Sequence, residues 1–156
     1  MIETYFPELT RLPGVEAVVL FDNQKKVRDQ WTIPQFNTTI IPELAESYIQ
    51  IFGVSDRLKE ATQEVVVPFE RGILFARNLE KFVIVIVARL SVEISLLRLI
   101  LEVRVPDFLE DRKIAKMGKR IPASKFDQIN EFSLDEKEVN FIQQLTGTAH
   151  GGKEGN

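Results

Sequence analysis

The residue pattern predicts an α/β domain: a five-stranded antiparallel sheet with helices on both faces, followed by a helical C-terminal extension. Three observations carry this reading. Gln63–Phe69, Gly72–Asn78 and Lys81–Arg89 are β-rich runs separated only by Glu70-Arg71 and Leu79-Glu80, the spacing of a β-meander. Phe82–Ala88 is apolar at every position, as in a central strand covered on both faces. Helical periodicity flanks these strands on both sides.

Taken in order, residues 2–12 place Ile2, Tyr5, Phe6, Leu9 and Leu12 at helical spacing. Pro7 either kinks this helix or opens a shorter one. Pro13-Gly14 ends it, and Val15–Phe21 reads as a mostly buried strand. Asp22-Asn23-Gln24 is a turn into a polar strand, Lys26–Trp31. Trp31 and Phe36 flank Pro34 in the next loop, and partial burial is expected of both. Thr38 or Thr39 then caps a long helix reaching about Ala61. Its apolar stripe is wider than one packing face requires. After the meander, Ser91 is expected to cap a helix that runs to Val105, where Pro106 stops it.

The most apolar strand, the fifth, belongs in the centre, with the first beside it. The expected order is 2-1-5-4-3. The second strand is an edge blunted by Lys26, Arg28 and Asp29. The third, Val65-Val66-Val67-Pro68-Phe69, is an edge with little charge to repel another chain, although Pro68 removes one donor. An apolar edge beside an over-wide helix predicts a homodimer through Ile41, Leu44, Tyr48, Phe52, Val65, Val67 and Phe69.

About half of residues 1–105 are apolar, but only about a third of 106–156. The first part reads as the domain and the second as an extension. Residues 112–125 hold Arg112, Lys113, Lys116, Lys119, Arg120 and Lys125 and no acid. They suit a solvated segment, a partner protein, or an anionic surface such as membrane or nucleic acid. Ser133-Leu134-Asp135-Glu136 is a capping box that opens a helix over 133–146, which either docks on its own dimer or binds a partner through Phe141 and Leu145. Gly147–Lys153 imitates a phosphate loop, but Glu154 stands where magnesium needs a hydroxyl, so 147–156 reads as a polar tail.

Composition narrows the chemistry. There is no cysteine, and the single histidine is His150. Thiol catalysis, cysteine-ligated metals and histidine triads are excluded within one chain. The net charge of −3 gives no global reason to expect nucleic acid. The longest apolar run is too short to span a bilayer, and the start lacks a basic-then-apolar leader. The expectation is a soluble cytoplasmic protein, not an enzyme, with no cofactor and no metal.

Leu9-Thr10-Arg11-Leu12-Pro13-Gly14-Val15 through Leu20, then Val65 through Leu79, then the apolar strand and Leu96-Leu97-Arg98 together resemble the Roadblock family. This is the dynein-light-chain type that includes the bacterial MglB-like proteins. Two positions depart from the family pattern. Asn23-Gln24-Lys25 lacks the usual turn glycine, and Ser95 replaces a packing glycine, which is expected to move the last helix outward slightly. The resemblance implies a profilin-like sandwich that dimerises by joining edge strands. It implies a platform for small Ras-like GTPases that supplies no catalytic side chain, so Arg71, Arg77 and Arg98 receive no finger role. The alternative is a structural or localisation scaffold attached to an anionic surface through the basic segment.

Overall fold

The computed structural model describes residues 1–47 and 64–122. The sheet is antiparallel, in the order β2-β1-β5-β4-β3. Its strands are β1 (Val15–Asp22), β2 (Val27–Thr32), β3 (Glu64–Phe69), β4 (Gly72–Asn78) and β5 (Phe82–Arg89). The expected order is therefore the observed one. Strand β5 is buried at every position from Phe82 to Ala88, which suits its central place.

Alternation along the strands builds two cores. Val18, Leu20, Phe75, Ile84 and Ile86 face one side. There they meet α1 (Ile2–Tyr5), α2 (Pro7–Arg11), α4 (Ile94–Glu110) and α5 (Arg112–Arg120). Val19, Phe21, Val65, Val67, Val83 and Val85 face the other side. They pack on α3, the helical residues 41–47, through Ile41, Leu44 and Ala45. Trp31 is half-buried against the first core and Phe36 against the second.

Local chemistry sets the element ends. Phe6 leaves helical geometry, so Pro7 opens α2 at a position that needs no N–H. Thr38–Ile40 form a 3-10 turn ahead of α3. Its cap is Asn37, whose side chain accepts from the Thr39 N–H, and not Thr38 or Thr39 as expected. Gly14 has φ +97°, and a Cβ there would press on Val92, so glycine alone suits this entry into β1. At Gly72 a Cβ would lie 2.1 Å from the Ala88 carbonyl oxygen, so the β4–β5 approach also requires glycine.

The turn without a glycine still adopts the conformation that favours one. Lys25 has φ +71°, at a cost of roughly 1–2 kcal/mol. The buried Asp22 carboxylate offsets this by accepting from the Gln24 and Lys26 N–H groups and from Arg28.

The last helix departs most from expectation. It starts at Ile94 with Glu93 at the cap position, not at Ser91. Val92 is buried beside Gly14, so Leu90 to Val92 are spent on the turn that reaches it. Ser95 is exposed and does not separate helix from sheet. The helix also continues through Pro106 to Glu110. An interior proline costs about 3 kcal/mol. Here the exposed ring points away from the sheet, and the continued helix buries Phe108 completely, a gain of about 2–3 kcal/mol. Phe108 touches Tyr5, Phe6 and Phe82, with ring centroids 5.3–5.6 Å apart. With Ile114 and Ile121 it belongs to the first core, so the packed unit runs to residue 122 and shows no break at 105.

Candidate functional site: an open strand edge and a basic helical face

Strand β3 is one edge of the sheet. Its hairpin pairs Phe69 with Gly72 across a two-residue turn, then Val67 with Leu74 and Val65 with Ala76. The closing pair of such a hairpin exchanges hydrogen bonds, and every second pair repeats this. The next hairpin agrees, because Leu79 N–H donates to the Phe82 carbonyl at 2.8 Å. Asn23 N–H donates to Lys81 at 3.1 Å and carries the same alternation across to β1. Val65, Val67 and Phe69 therefore bond inward to β4. The main-chain groups of Glu64, Val66 and Pro68 face the open side. The N–H that Pro68 lacks is one β4 does not need, which is why a proline fits mid-strand.

The opposite edge is better guarded. Strand β2 carries Arg28 and Asp29, and the Ile2 N–H of α1 donates to Asp29 at 2.7 Å.

The predicted interface residues divide. Ile41, Leu44, Val65 and Val67 are buried within one protomer, facing each other across the second core. Phe69 is 42% exposed at the end of the open edge. Tyr48 and Phe52 lie outside the described residues.

Beside that edge sits a charged cluster: Arg77 and Arg98 form surface pairs, as their places on secondary structure suggest, but the sequence did not single out Glu64 as their shared partner. Glu64 accepts from Arg77 at 2.6 Å and from Arg98 of α4 at 2.7 Å. Arg77 also reaches Glu102 at 3.3 Å. The signal was present, because a two-residue turn after Phe69 sets Glu64 opposite Arg77. Burial pushes the Glu64 carboxyl up, but hydrogen bonds from Arg77 and Arg98 outweigh it and hold it below the ordinary range. Glu8 is also held low, first by its hydrogen bond from Arg104. Carboxylates with depressed pKa stabilise the fold above the unfolded carboxylate range and lose that contribution as pH falls through their folded pKa. The urea midpoint should stay level from pH 7 to roughly pH 5 and fall toward pH 3. Glu64→Gln should flatten that fall.

The basic segment is helical. Asp111 caps α5 by accepting from the Lys113 and Ile114 N–H groups. Ile114, Gly118 and Ile121 are buried, whereas Arg112, Lys113, Lys116, Lys119 and Arg120 are exposed. The Lys81 ammonium donates to the Ile121 and Pro122 carbonyls at the C-terminal end of α5. Between α5 and the β4–β5 turn lies a groove of about 310 Å³ over Phe82, Leu109, Ile114 and Gly118. A Cβ on Gly118 would meet only ordinary contacts at 3.8–4.0 Å. Gly118→Ala should therefore raise stability by about 0.5–1 kcal/mol in thermal denaturation. Lys125, Phe141 and Leu145, the helix expected over 133–146 and the tail all fall outside the described residues. Among the described residues no group of three or more His, Cys, Asp or Glu could hold a metal ion. Also among them, no helix is long and apolar enough to cross a membrane.

This arrangement of sheet, helices and open edge is the Roadblock/LC7 fold. A Roadblock/LC7 domain from Streptomyces avermitilis matches at TM-score 0.57 and 14% identity, over 67% of this chain and 92% of that one. Among solved structures of this fold, the chain is similar to MglB of Myxococcus xanthus, at TM-score 0.61 and 16% identity over 74% of this chain and 95% of MglB. It is also similar to the gliding protein MglB of Thermus thermophilus, at TM-score 0.55 and 18% identity over 74% and 87%. No family model matches the chain, and no curated protein matches it.

Proposed function

We propose that the protein is a homodimeric, non-catalytic scaffold or regulator that binds a small Ras-like GTPase. The observation that carries the reading is the β3 edge, which presents the main-chain groups of Glu64 and Val66 with no described element across them. A second copy is its natural complement. Antiparallel pairing about a two-fold axis at Val66 joins the Val66 groups of the two chains reciprocally. It also directs each Glu64 N–H to the partner's Pro68 carbonyl. The axis stands normal to the sheet, so a continuous sheet of two copies keeps α3 on one face and α4 with α5 on the other.

The GTPase part rests on the likeness to MglB and on the platform role that the Roadblock resemblance implies. The chain lacks the thiols and paired histidines of the common nucleophilic sites. Its most buried arginine on this surface, Arg77, is engaged by Glu64 and Glu102 and so is not poised to reach a phosphate. The test is calorimetry with the small GTPase of the same genome, loaded in turn with a GTP analogue and GDP. Binding that depends on the nucleotide is the expected result. Equal or absent binding to both forms overturns the reading for that partner.

A further inference from the structure

We propose that the outer surface of α4 and α5 docks the protein on an anionic lipid bilayer. The two helices turn their inner faces to the same core, through Leu97, Leu101 and Phe108 and through Ile114 and Ile121. Their opposite faces therefore open to solvent on the same side of the sheet.

The first observation is unneutralised charge. Arg28, Arg77, Arg89, Arg98 and Arg104 each pair with a carboxylate. The five basic residues of α5 have no ion-pair partner among the described residues, and the helix contains no acid. They span about 12 Å of helix. The buried inner face, the Asp111 cap and the Lys81 clamp hold that helix in place. The charges are thus displayed on a fixed support, already ordered before anything binds.

The second observation is apolar exposure on the neighbouring helix. Leu99 and Val103 are each 58% exposed at i, i+4 on the outward line of α4, and Leu96 precedes them one turn earlier. Leu109, 38% exposed, lies further along α4 toward α5, about a third of a turn around the helix from Val103. Apolar side chains beside a cationic row match a bilayer interface, where shallow acyl contact adds to attraction for anionic headgroups.

The same face suits other polyanions less well. A nucleic-acid backbone gains nothing from Leu99 and Val103, and the exposed basic row of α5 contains no aromatic ring on which a base could stack. Glu102, Asp107 and Glu110 are exposed on α4 and oppose an anionic surface. The attraction comes from the α5 cations alone, so binding should require anionic lipid and weaken with salt. Pairing through β3, on the dimer reading above, would set two such faces on one side and strengthen the attachment.

The experiment is co-sedimentation of the full chain with vesicles of phosphatidylcholine alone or mixed with phosphatidylserine, at low and high salt. Retention only on the mixed vesicles, lost at high salt, is expected. Replacing Arg112, Lys113, Lys116, Lys119 and Arg120 with Gln should weaken retention at least about tenfold. Leu99→Ser with Val103→Ser, both at exposed positions, should weaken it about tenfold without changing the circular dichroism. Equal retention on both vesicles, or by the Gln variant, overturns the proposal. So does preferential binding to duplex DNA, or a Leu99/Val103 variant whose only change is a smaller mass in solution. A monomeric variant that still binds the mixed vesicles separates this proposal from the dimer reading.

Discussion

Replacing Phe108 with alanine should destabilise the protein by about 3–5 kcal/mol and lower its melting temperature by roughly 10 °C. The side chain is fully buried where Tyr5, Phe6 and Phe82 converge. Its removal leaves a cavity bounded by α1, α4 and β5, which belong to different parts of the chain and have little freedom to collapse together. Edge-to-face contacts with Tyr5 and Phe82 add to the loss. Leu109→Ala is the control. That side chain is 38% exposed, and its loss should cost about 1 kcal/mol or less. Urea denaturation of both variants measures the difference. A cost below about 1 kcal/mol for Phe108→Ala would show that residues beyond 105 do not belong to the core.

Val66→Pro should halve the mass seen by light scattering. Proline removes the Val66 N–H, which faces the open side of β3 and has no partner on β4. The protomer therefore keeps its own ladder while the central reciprocal pair of a β3–β3 contact is lost. Val65→Lys or Val67→Lys would not separate the two effects, since both side chains are buried within the protomer. Val66→Thr retains the N–H and the shape, and should remain dimeric. A Val66→Pro protein with native circular dichroism and unchanged mass places the self-contact elsewhere.

Much of this architecture was legible in the residue pattern. Strand β5 announced its central place by being apolar on both faces, and the short meander turns left little choice for β4 and β3. What misled were local signals overruled at a distance. Pro106 is a strong stop signal, yet α4 crosses it because Phe108 reaches a pocket formed largely by residues more than twenty positions away. Ser91 is a good cap residue, but Val92 is drawn under Gly14 and delays the helix. The basic segment looked detachable because its composition is polar; three well-spaced side chains, Phe108, Ile114 and Ile121, are enough to seat it. The interface residues were chosen for being apolar, and several are apolar because they fill the protomer's own second core.

Hydrophobic alternation and turn spacing are local properties, so the sequence by itself determined the strands, their order and the edge left open. Which edge side chains are buried within the protomer, where α4 ends and how the α5 charges are displayed depended on contacts between distant segments. Those contacts are decided by the free energy of burying a few side chains against the whole sheet, and that quantity is only defined once the sheet has formed.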